Sequence, residues 1–200
     1  MTNPIAETVN AWIEADGIDR DSYVAVMRRW VAQAYDIEQG DNPIHALERG
    51  EAPLAAFEAA LASELLLLDG TPVPVDGLLE RMWAGSRMDD SMLDLFRRLH
   101  ATGVPTGLLS NSWGNGYPRD LFPAMFDAVV ISAEVGMRKP EPRIFLHAAE
   151  LLGLAPAECV FIDDIGANIT AAAGLGFAGV LHTDTATTAG RLSELLGIDL

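Results

Sequence analysis

The sequence has very few residues that could build a disulfide or a cysteine-rich metal site. It contains one cysteine, Cys159, among 200 residues. Neither an internal disulfide nor a zinc site made of several cysteines can therefore form within it. Cys159 opens an apolar run, and we expect a small buried residue at the start of a strand. The four histidines are scattered without the spacing of metal ligands.

Positive charge and long apolar runs are also scarce. Thirteen Lys and Arg face 29 Asp and Glu, for a formal net charge of -16. Such a surface repels nucleic-acid backbones and anionic lipids, although a small anion could still bind at a local positive site. The strongest apolar run, residues 65–68, is too short to span a bilayer, and the first ten residues lack the pattern of a signal peptide. We expect a soluble cytoplasmic protein that binds neither nucleic acid nor membranes.

Apolar residues are abundant enough for a hydrophobic core. Half of the residues are hydrophobic and the mean hydropathy is +0.18. Two hundred residues suffice for one domain with a small insertion. Up to residue 85 the apolar spacing is helical, and no strand is predicted. Four helices are expected there: one with Ile5, Val9, Trp12 and Ile13, ending near Gly17; one with Val24, Met27, Val31 and Tyr35, starting at Asp21 and Ser22; one with Leu54, Phe57, Leu61, Leu65 and Leu68, after Pro53; and a shorter one after Pro74.

In the second half, short apolar runs alternate with helical segments. This alternation is typical of a parallel α/β sheet covered on both faces. We expect a helical bundle over residues 1–87 and a doubly wound α/β core over residues 88–200. The core is predicted to contain helices over residues 89–101, 143–152 and 167–175, and strands within residues 104–110, 128–132, 159–162 and 179–181.

Polar residues follow the first predicted strand. Open α/β sheets bind ligands beyond the carboxyl ends of their strands, which makes Ser110, Asn111 and Ser112 candidates. Their hydroxyl and backbone N–H groups could hold phosphate oxygens. Residues of these types after a strand also serve only as helix caps or turn formers, so both interpretations stay open.

A basic pair, Arg138 and Lys139, precedes the helix predicted over residues 143–152. Pro140 and Pro142 stiffen this loop and suit a helix start. A fixed Lys139 ammonium could neutralise a phosphoryl group and an attacking carboxylate. The alternative is a solvated dibasic pair without a role in chemistry.

Two adjacent carboxylates, Asp163 and Asp164, follow the third strand. At the end of a buried strand they would repel each other and lose solvation. A hard cation such as Mg²⁺ would relieve both costs, because it takes oxygen ligands. Asn168, four residues after Asp164, could brace the loop or the carboxylates. A helix cap would need only one Asp, so the pair favours metal binding or catalysis.

An Asp-Gly-Thr sequence at residues 69–71 follows the leucine run and could be a strand carrying a nucleophile. Its leucines also continue the helical spacing from Phe57. We therefore expect a helix that runs into a turn, with Asp69 as a relocated nucleophile the less favoured alternative.

Taken in order, the three strand-end motifs resemble those of the haloacid dehalogenase-like hydrolase superfamily. The resemblance is closest to the N-terminal phosphatase domain of soluble epoxide hydrolases and its bacterial relatives. It rests on residues 108–113 (LLSNSW), 136–142 (GMRKPEP) and 161–168 (FIDDIGAN). It implies a Rossmann-like parallel sheet over residues 88–200 and, for residues 1–87, the helical cap of the superfamily.

The resemblance also implies roles for these residues. Ser110 and Asn111 would bind the transferring phosphoryl group, with Lys139 stabilising its charge and that of the nucleophile. Asp164 would be a direct Mg²⁺ ligand, and Asp163 would reach the metal directly or through water. Catalytic roles therefore fall on Lys139, Ser110 and Asp163. In the family an aspartate attacks phosphate, and water hydrolyses the resulting aspartyl-phosphate.

The sequence departs from the family at its beginning. The family places the nucleophilic aspartate on an N-terminal strand, and Met1-Thr2-Asn3-Pro4 resembles the residues that follow this motif. We expect the nucleophile roughly five residues before Met1, on a strand lying between those that end at Ser110 and Asp163. Without that strand, two strand edges would keep unpaired backbone groups.

The function predicted is a Mg²⁺-dependent phosphatase acting on small phosphate monoesters, as a monomer or homodimer. A 2-haloacid dehalogenase-like enzyme is the nearest alternative, but its chemistry needs no metal and leaves the pair of Asp163 and Asp164 unexplained. A non-catalytic protein of the same fold that binds a ligand or a partner is the third possibility.

Overall fold

A computed structural model describes residues 2–34, 42–114 and 116–200. The chain divides into two compact units, residues 1–89 and 90–200. The first unit is helical and the second contains the parallel strands. In the first unit the helices are α1 (Ile5–Asp16), α2 (Arg20–Ala34), α3 (Pro43–Glu48), α4 (Leu54–Glu64) and α5 (Leu78–Trp83).

The first unit is held together by aromatic and aliphatic side chains of its helices. Trp12 of α1 meets Tyr23 of α2 edge to face, with ring centroids 6.0 Å apart. Trp30 of α2 meets Phe57 of α4 in the same way at 5.6 Å. Helix α1 ends as predicted, because Gly17 adopts a left-handed conformation (φ 65°) and donates its N–H to Ile13.

The predicted second helix forms with a different start and a different buried face. Asp19 rather than Asp21 caps it, since the Asp19 carboxylate accepts the N–H groups of Asp21 and Ser22. Among the α2 residues whose burial is described, Val26 and Trp30 are buried, whereas the predicted core residue Val31 is exposed. Tyr35, also predicted for this face, lies outside the described residues.

The third predicted helix is shorter than its leucine spacing indicates. It ends at Glu64, and the prediction that it continues through Leu68 is wrong. Backbone groups of the leucine run bond instead to the α1–α2 connection: Asp19 N donates to Leu66 O at 2.7 Å, and Leu68 N donates to Gly17 O at 2.8 Å. These bonds replace the helical ones that the backbone would otherwise need.

The second unit alternates strands and helices, as predicted. Its helices are α6 (Asp90–Ala101), α7 (Ser132–Val135), α8 (Pro142–Leu152), α9 (Gly166–Gly174) and α10 (Thr185–Leu196), and its strands are β1 (Gly107–Ser110), β2 (Ala128–Ile131), β3 (Val160–Asp163) and β4 (Ala178–Leu181). Helices α3, α7 and α10 were not predicted. The α/β fold class with parallel strands is confirmed.

The strands form two parallel pairs within the described residues. Strand β1 pairs with β2, with Ser110 opposite Ile131, and β3 pairs with β4, with Asp163 opposite Leu181. Across the described part of the chain, β1 and β3 do not pair with each other. In the described ranges, β1 and β3 are thus each paired along one edge only.

One hydrophobic core joins the two strand pairs. Helix α8 contacts both β1 and β2, and it also contacts α9, which packs on β3 and β4. Phe145 of α8 reaches across to Phe161 of β3, with ring centroids 5.1 Å apart and nearly perpendicular planes. Cys159 is buried in the same cluster, as predicted. Burial is also the main reason that the pKa of its thiol is raised.

None of the helices in the described ranges has the length and apolar character needed to cross a membrane.

Candidate active site

The carboxyl ends of β1 and β3 carry the predicted site residues. Ser110 is the last residue of β1, Asp163 is the last residue of β3, and Lys139 lies in the loop between α7 and α8. Because both strand pairs are parallel and share one core, their polar ends can be linked through this loop. Lys139 makes these links through backbone hydrogen bonds to Asn111 and an ion pair with Asp163.

Lys139 and Asp163 form a buried ion pair. The Lys139 Nζ lies 2.6 Å from Asp163 Oδ2, and the two side chains are only 12% and 5% exposed. The ammonium also lies 5.7 Å from the centroid of the Phe161 ring, a distance within the range of a cation–π contact. Lys139 is thus a fixed positive charge rather than half of a solvated dibasic pair.

The Asp163 carboxylate is held from both of its oxygens. While Oδ2 binds Lys139, Oδ1 accepts the backbone N–H of Ile165 at 2.8 Å and the Asn168 side-chain amide at 3.0 Å. Asn168 is itself buried. Asn168 was expected to brace either the loop or the carboxylates, and in the structure it binds the Asp163 carboxylate.

Asp164 differs sharply from its neighbour. Asp163 is buried, whereas Asp164 is exposed to solvent. The expectation that both carboxylates lose solvation at the strand end is therefore wrong for Asp164, because the chain turns outward immediately after β3. One carboxylate is built into the site and the other remains available to solvent or a cation.

Asn111 clamps the backbone of Lys139. Its side-chain oxygen accepts the Lys139 N–H at 2.8 Å, and its side-chain amide donates to the Lys139 carbonyl at 3.1 Å. Both ends of the Asn111 amide are thus used within the protein. A hydrogen bond from Asn111 to a phosphate could come from its backbone N–H or from the second N–H of its side-chain amide.

Ser110 has a partner that sequence reasoning did not assign. Its hydroxyl lies 2.8 Å from the Tyr117 hydroxyl and 3.4 Å from the Asn111 carbonyl. Tyr117 follows Ser110 by seven residues. The only sequence signal for this contact is a tyrosine in the loop that follows a strand ending in a hydroxyl residue. The structure thus places Tyr117 on Ser110.

A second serine holds the loop that follows β1. The hydroxyl of Ser132, which is fully buried, accepts the N–H of Ser112 at 2.8 Å. The Ser112 hydroxyl in turn donates to the Gly114 carbonyl at 2.6 Å. Ser112 therefore acts as a turn former, which was one of its two predicted roles.

A third carboxylate at this end of the strands, Asp184 beyond β4, is occupied as a helix cap. It accepts the N–H of Thr187 at 2.8 Å at the start of α10. This hydrogen bond is the main reason that the pKa of Asp184 lies below its ordinary value. Its observed role is to begin a helix.

The donor set at the end of β3 fits a hard cation in its chemistry. Magnesium takes carboxylate oxygens, and Asp164 presents an exposed carboxylate next to the anchored Asp163. Within the ranges that the structure describes, no cluster of three or more His, Cys, Asp or Glu side chains could hold a metal ion. The two carboxylates are therefore fewer oxygen ligands than a complete magnesium site has.

Asp69, the less favoured nucleophile, lies in the helical unit and braces a turn. Its Oδ1 accepts both the side-chain hydroxyl and the backbone N–H of Thr71, at 2.6 and 2.9 Å. The hydroxyl contact is the main cause of the lowered pKa of Asp69. This geometry is that of a turn-forming aspartate.

The family of the chain is shown by a match that covers most of its length. The family model described as haloacid dehalogenase-like hydrolase matches residues 1–176. The chain belongs to the haloacid dehalogenase-like hydrolases. The resemblance stated from the strand-end motifs is confirmed, and so is the assignment to a family of enzymes.

Individual relatives of the chain are named as hydrolases. Bifunctional epoxide hydrolase 2 of Rattus norvegicus is 26% identical over 192 residues, a match that covers 87% of this chain and 34% of the rat protein. The chain thus spans about a third of that relative. Flavin mononucleotide hydrolase 1 of Arabidopsis thaliana is 31% identical over 147 residues, covering 70% of this chain and 60% of the plant protein.

A solved structure supports the same fold. A family enzyme from Bacteroides thetaiotaomicron, in complex with magnesium and inorganic phosphate, aligns with a TM-score of 0.57 at 25% identity. The alignment covers 84% of this chain and 88% of the bacterial one.

Proposed function

We propose that this hydrolase is a Mg²⁺-dependent phosphatase acting on small phosphate monoesters. The observation that carries the proposal is the buried Lys139 ammonium, fixed by Asp163 and by the Asn111 clamp next to Ser110. A fixed cation in a desolvated position stabilises the charge of a transferring phosphoryl group without reorganising. Relatives named as a flavin mononucleotide hydrolase and a glyceraldehyde 3-phosphate phosphatase support this reaction class.

We assign the roles from the family resemblance, and the positions of the groups support them. The Ser110 hydroxyl and the backbone N–H of Asn111 hold phosphoryl oxygens at the end of β1. Lys139 neutralises the phosphoryl group from the neighbouring loop, while Asp163 keeps its ammonium in place. Asp164 and, directly or through water, Asp163 would hold Mg²⁺, which supplies charge neutralisation at the phosphoryl oxygens.

We further propose that the nucleophilic aspartate arrives on a strand between β1 and β3. In the described ranges each of these strands is paired along one edge only. A parallel strand inserted there would satisfy backbone groups on both sides. Its carboxyl end would bring a side chain between Ser110 and Asp163. The helical unit is proposed to contain the cap predicted over residues 1–87, which would exclude water and select the substrate.

The test compares two forms of the protein: the 200-residue chain, and a form extended by the codons upstream in its gene. Hydrolysis of p-nitrophenyl phosphate is measured with MgCl₂ and with EDTA, after circular dichroism has confirmed folding. We expect Mg²⁺-dependent activity in the extended form only. Activity in the 200-residue chain would contradict the inserted-strand proposal and return attention to Asp69.

Variants and a second substrate distinguish a phosphatase from a dehalogenase and from a ligand-binding protein. Lys139→Met and Asp164→Asn should each lower kcat/KM at least about a hundredfold, as expected when charge stabilisation of a transition state is removed. Arg98→Met, on the exposed face of α6, is the matched control and should retain full activity. Chloride release from 2-chloropropionate without phosphate release would indicate a dehalogenase. Absence of both activities in folded protein would favour a ligand-binding role.

A further inference from the structure

The Ser110 hydroxyl has one proton to donate, and the neighbouring Tyr117 hydroxyl can donate a hydrogen bond to the serine oxygen. Tyr117 lies 2.8 Å from Ser110 Oγ, while the remaining contact of that oxygen, to the Asn111 carbonyl, is long at 3.4 Å. If Ser110 turns its proton toward an incoming phosphoryl oxygen, its lone pairs are free to accept the Tyr117 proton.

The Tyr117 ring is held by an aromatic contact of its own. It packs against Phe122 at a centroid distance of 6.4 Å, and Phe122 is buried in the 3₁₀ turn that follows, Arg119–Ala124. The other contact of the phenol hydroxyl, to the Asn111 carbonyl, is 3.5 Å long. Among the described residues, the short hydrogen bond of each hydroxyl is therefore the one that joins the two.

We propose that Tyr117 is a positioning residue for Ser110, donating its proton to the serine hydroxyl so that Ser110 can donate to a phosphoryl oxygen. This inference rests on the proposed phosphatase function and adds a residue that the strand-end motifs do not include. A chain of hydrogen bonds polarises each member, so the Tyr117 donor strengthens the Ser110 donor. The ligand chemistry concerned is a phosphate monoester or inorganic phosphate.

The test measures the affinity for inorganic phosphate by titration calorimetry in the presence of MgCl₂. It uses whichever form hydrolyses p-nitrophenyl phosphate, or the 200-residue chain if neither does. The variants are Tyr117→Phe, Ser110→Ala and the double variant. Tyr117→Phe keeps the ring on Phe122 and removes only the hydroxyl. Tyr23→Phe, which removes a phenol hydroxyl from the helical unit, is the matched control.

Tyr117→Phe should weaken phosphate binding about three- to tenfold, the range of one hydrogen bond, and Tyr23→Phe should leave it unchanged. The effect of Tyr117→Phe should vanish in the Ser110→Ala background, because Tyr117 acts only through that hydroxyl. Two results would overturn the inference. One is a Tyr117→Phe effect of the same size with and without the Ser110 hydroxyl, and the other is no effect of Tyr117→Phe in the protein that keeps Ser110.

Failure of the phosphatase proposal is distinguishable from failure of this one. If Ser110→Ala binds phosphate as well as the unmodified protein, or if the unmodified protein binds none, the phosphate-binding role of Ser110 falls and the Tyr117 role falls with it. If Ser110→Ala weakens binding and Tyr117→Phe does not, the phosphatase proposal stands and the Tyr117 role alone is overturned.

Discussion

At the scale of single residues, Asp163 is the most constrained group of the candidate site. Its carboxylate is 5% exposed and accepts an ammonium, a backbone N–H and a side-chain amide. Removing a carboxylate from water is costly unless such partners replace the lost hydration. The ion pair with Lys139 therefore serves folding as well as the proposed chemistry, and its loss should be visible in stability.

Lys139→Met should lower the free energy of unfolding by about 3 kcal/mol or more, because it leaves a buried carboxylate without its cation. Adding Asp163→Asn should restore part of this loss by removing the unpaired charge. Arg98→Met is the control, since Arg98 and Asp94 are 50% and 64% exposed and such a pair contributes at most about 1 kcal/mol. Urea unfolding measures all four proteins; equal losses for Lys139→Met and Arg98→Met would contradict the prediction.

At the scale of secondary-structure elements, α9 lies directly on β4. A Cβ added to Gly179 of β4 would lie 2.7 Å from Ile169 Cγ2 of α9. That separation is well below the roughly 3.5 Å at which carbon atoms meet favourably. Glycine is thus required here by the close approach of a helix rather than by an unusual backbone conformation.

Gly179→Ala should lower the free energy of unfolding by about 1–3 kcal/mol, because the β-branched Ile169 cannot move its methyl group without shifting the helix. Gly174→Ala, at the end of α9 with nothing within 4 Å, is the matched control and should stabilise by up to about 1 kcal/mol.

Gly179→Ala made in an Ile169→Ala background isolates the contact between residues 179 and 169. There the methyl group that Gly179→Ala would meet is gone, so the alanine should cost less than in the unmodified protein. Urea titrations of the four proteins give the coupling energy. A cost that is the same in both backgrounds would place the strain elsewhere.

At the scale of the whole molecule, a net charge of -16 dominates the electrostatics. Like charges on a folded chain repel, and this repulsion relaxes when the chain unfolds. Dissolved salt screens it: the Debye length falls from about 30 Å at 0.01 M to about 8 Å at 0.15 M. The local cation at Lys139 is compatible with this field because it is buried beside its own carboxylate.

Raising NaCl from about 10 to 150 mM should therefore raise the thermal midpoint of unfolding. Exposed ion pairs such as Arg98 with Asp94 are weakened by the same screening, but acidic residues outnumber basic ones 29 to 13. Differential scanning calorimetry across the salt series measures the effect. A midpoint that falls with salt would mean that attractive surface pairs outweigh the net repulsion.

The sequence by itself determined the α/β class, the positions of the four described strands and which loops carry polar residues. Short apolar runs bounded by Gly, Pro and Asp mark buried strands, and parallel strands bring their carboxyl ends to one edge. For that reason Ser110, Lys139 and Asp163 could be grouped before any contact was known. The end of α1 at Gly17 was equally predictable, because a left-handed C-cap is a local property of glycine.

Tertiary structure alone decided which of two adjacent carboxylates is anchored, what Ser110 contacts and where the leucine helix stops. Asp163 and Asp164 are chemically identical, and only the approach of Lys139 and Asn168 distinguishes them. The leucines beyond Glu64 leave the helix because the α1–α2 connection offers their backbone other partners. In each case a deciding partner lies outside the element that it acts on, so the pattern of that element alone could not choose between the alternatives.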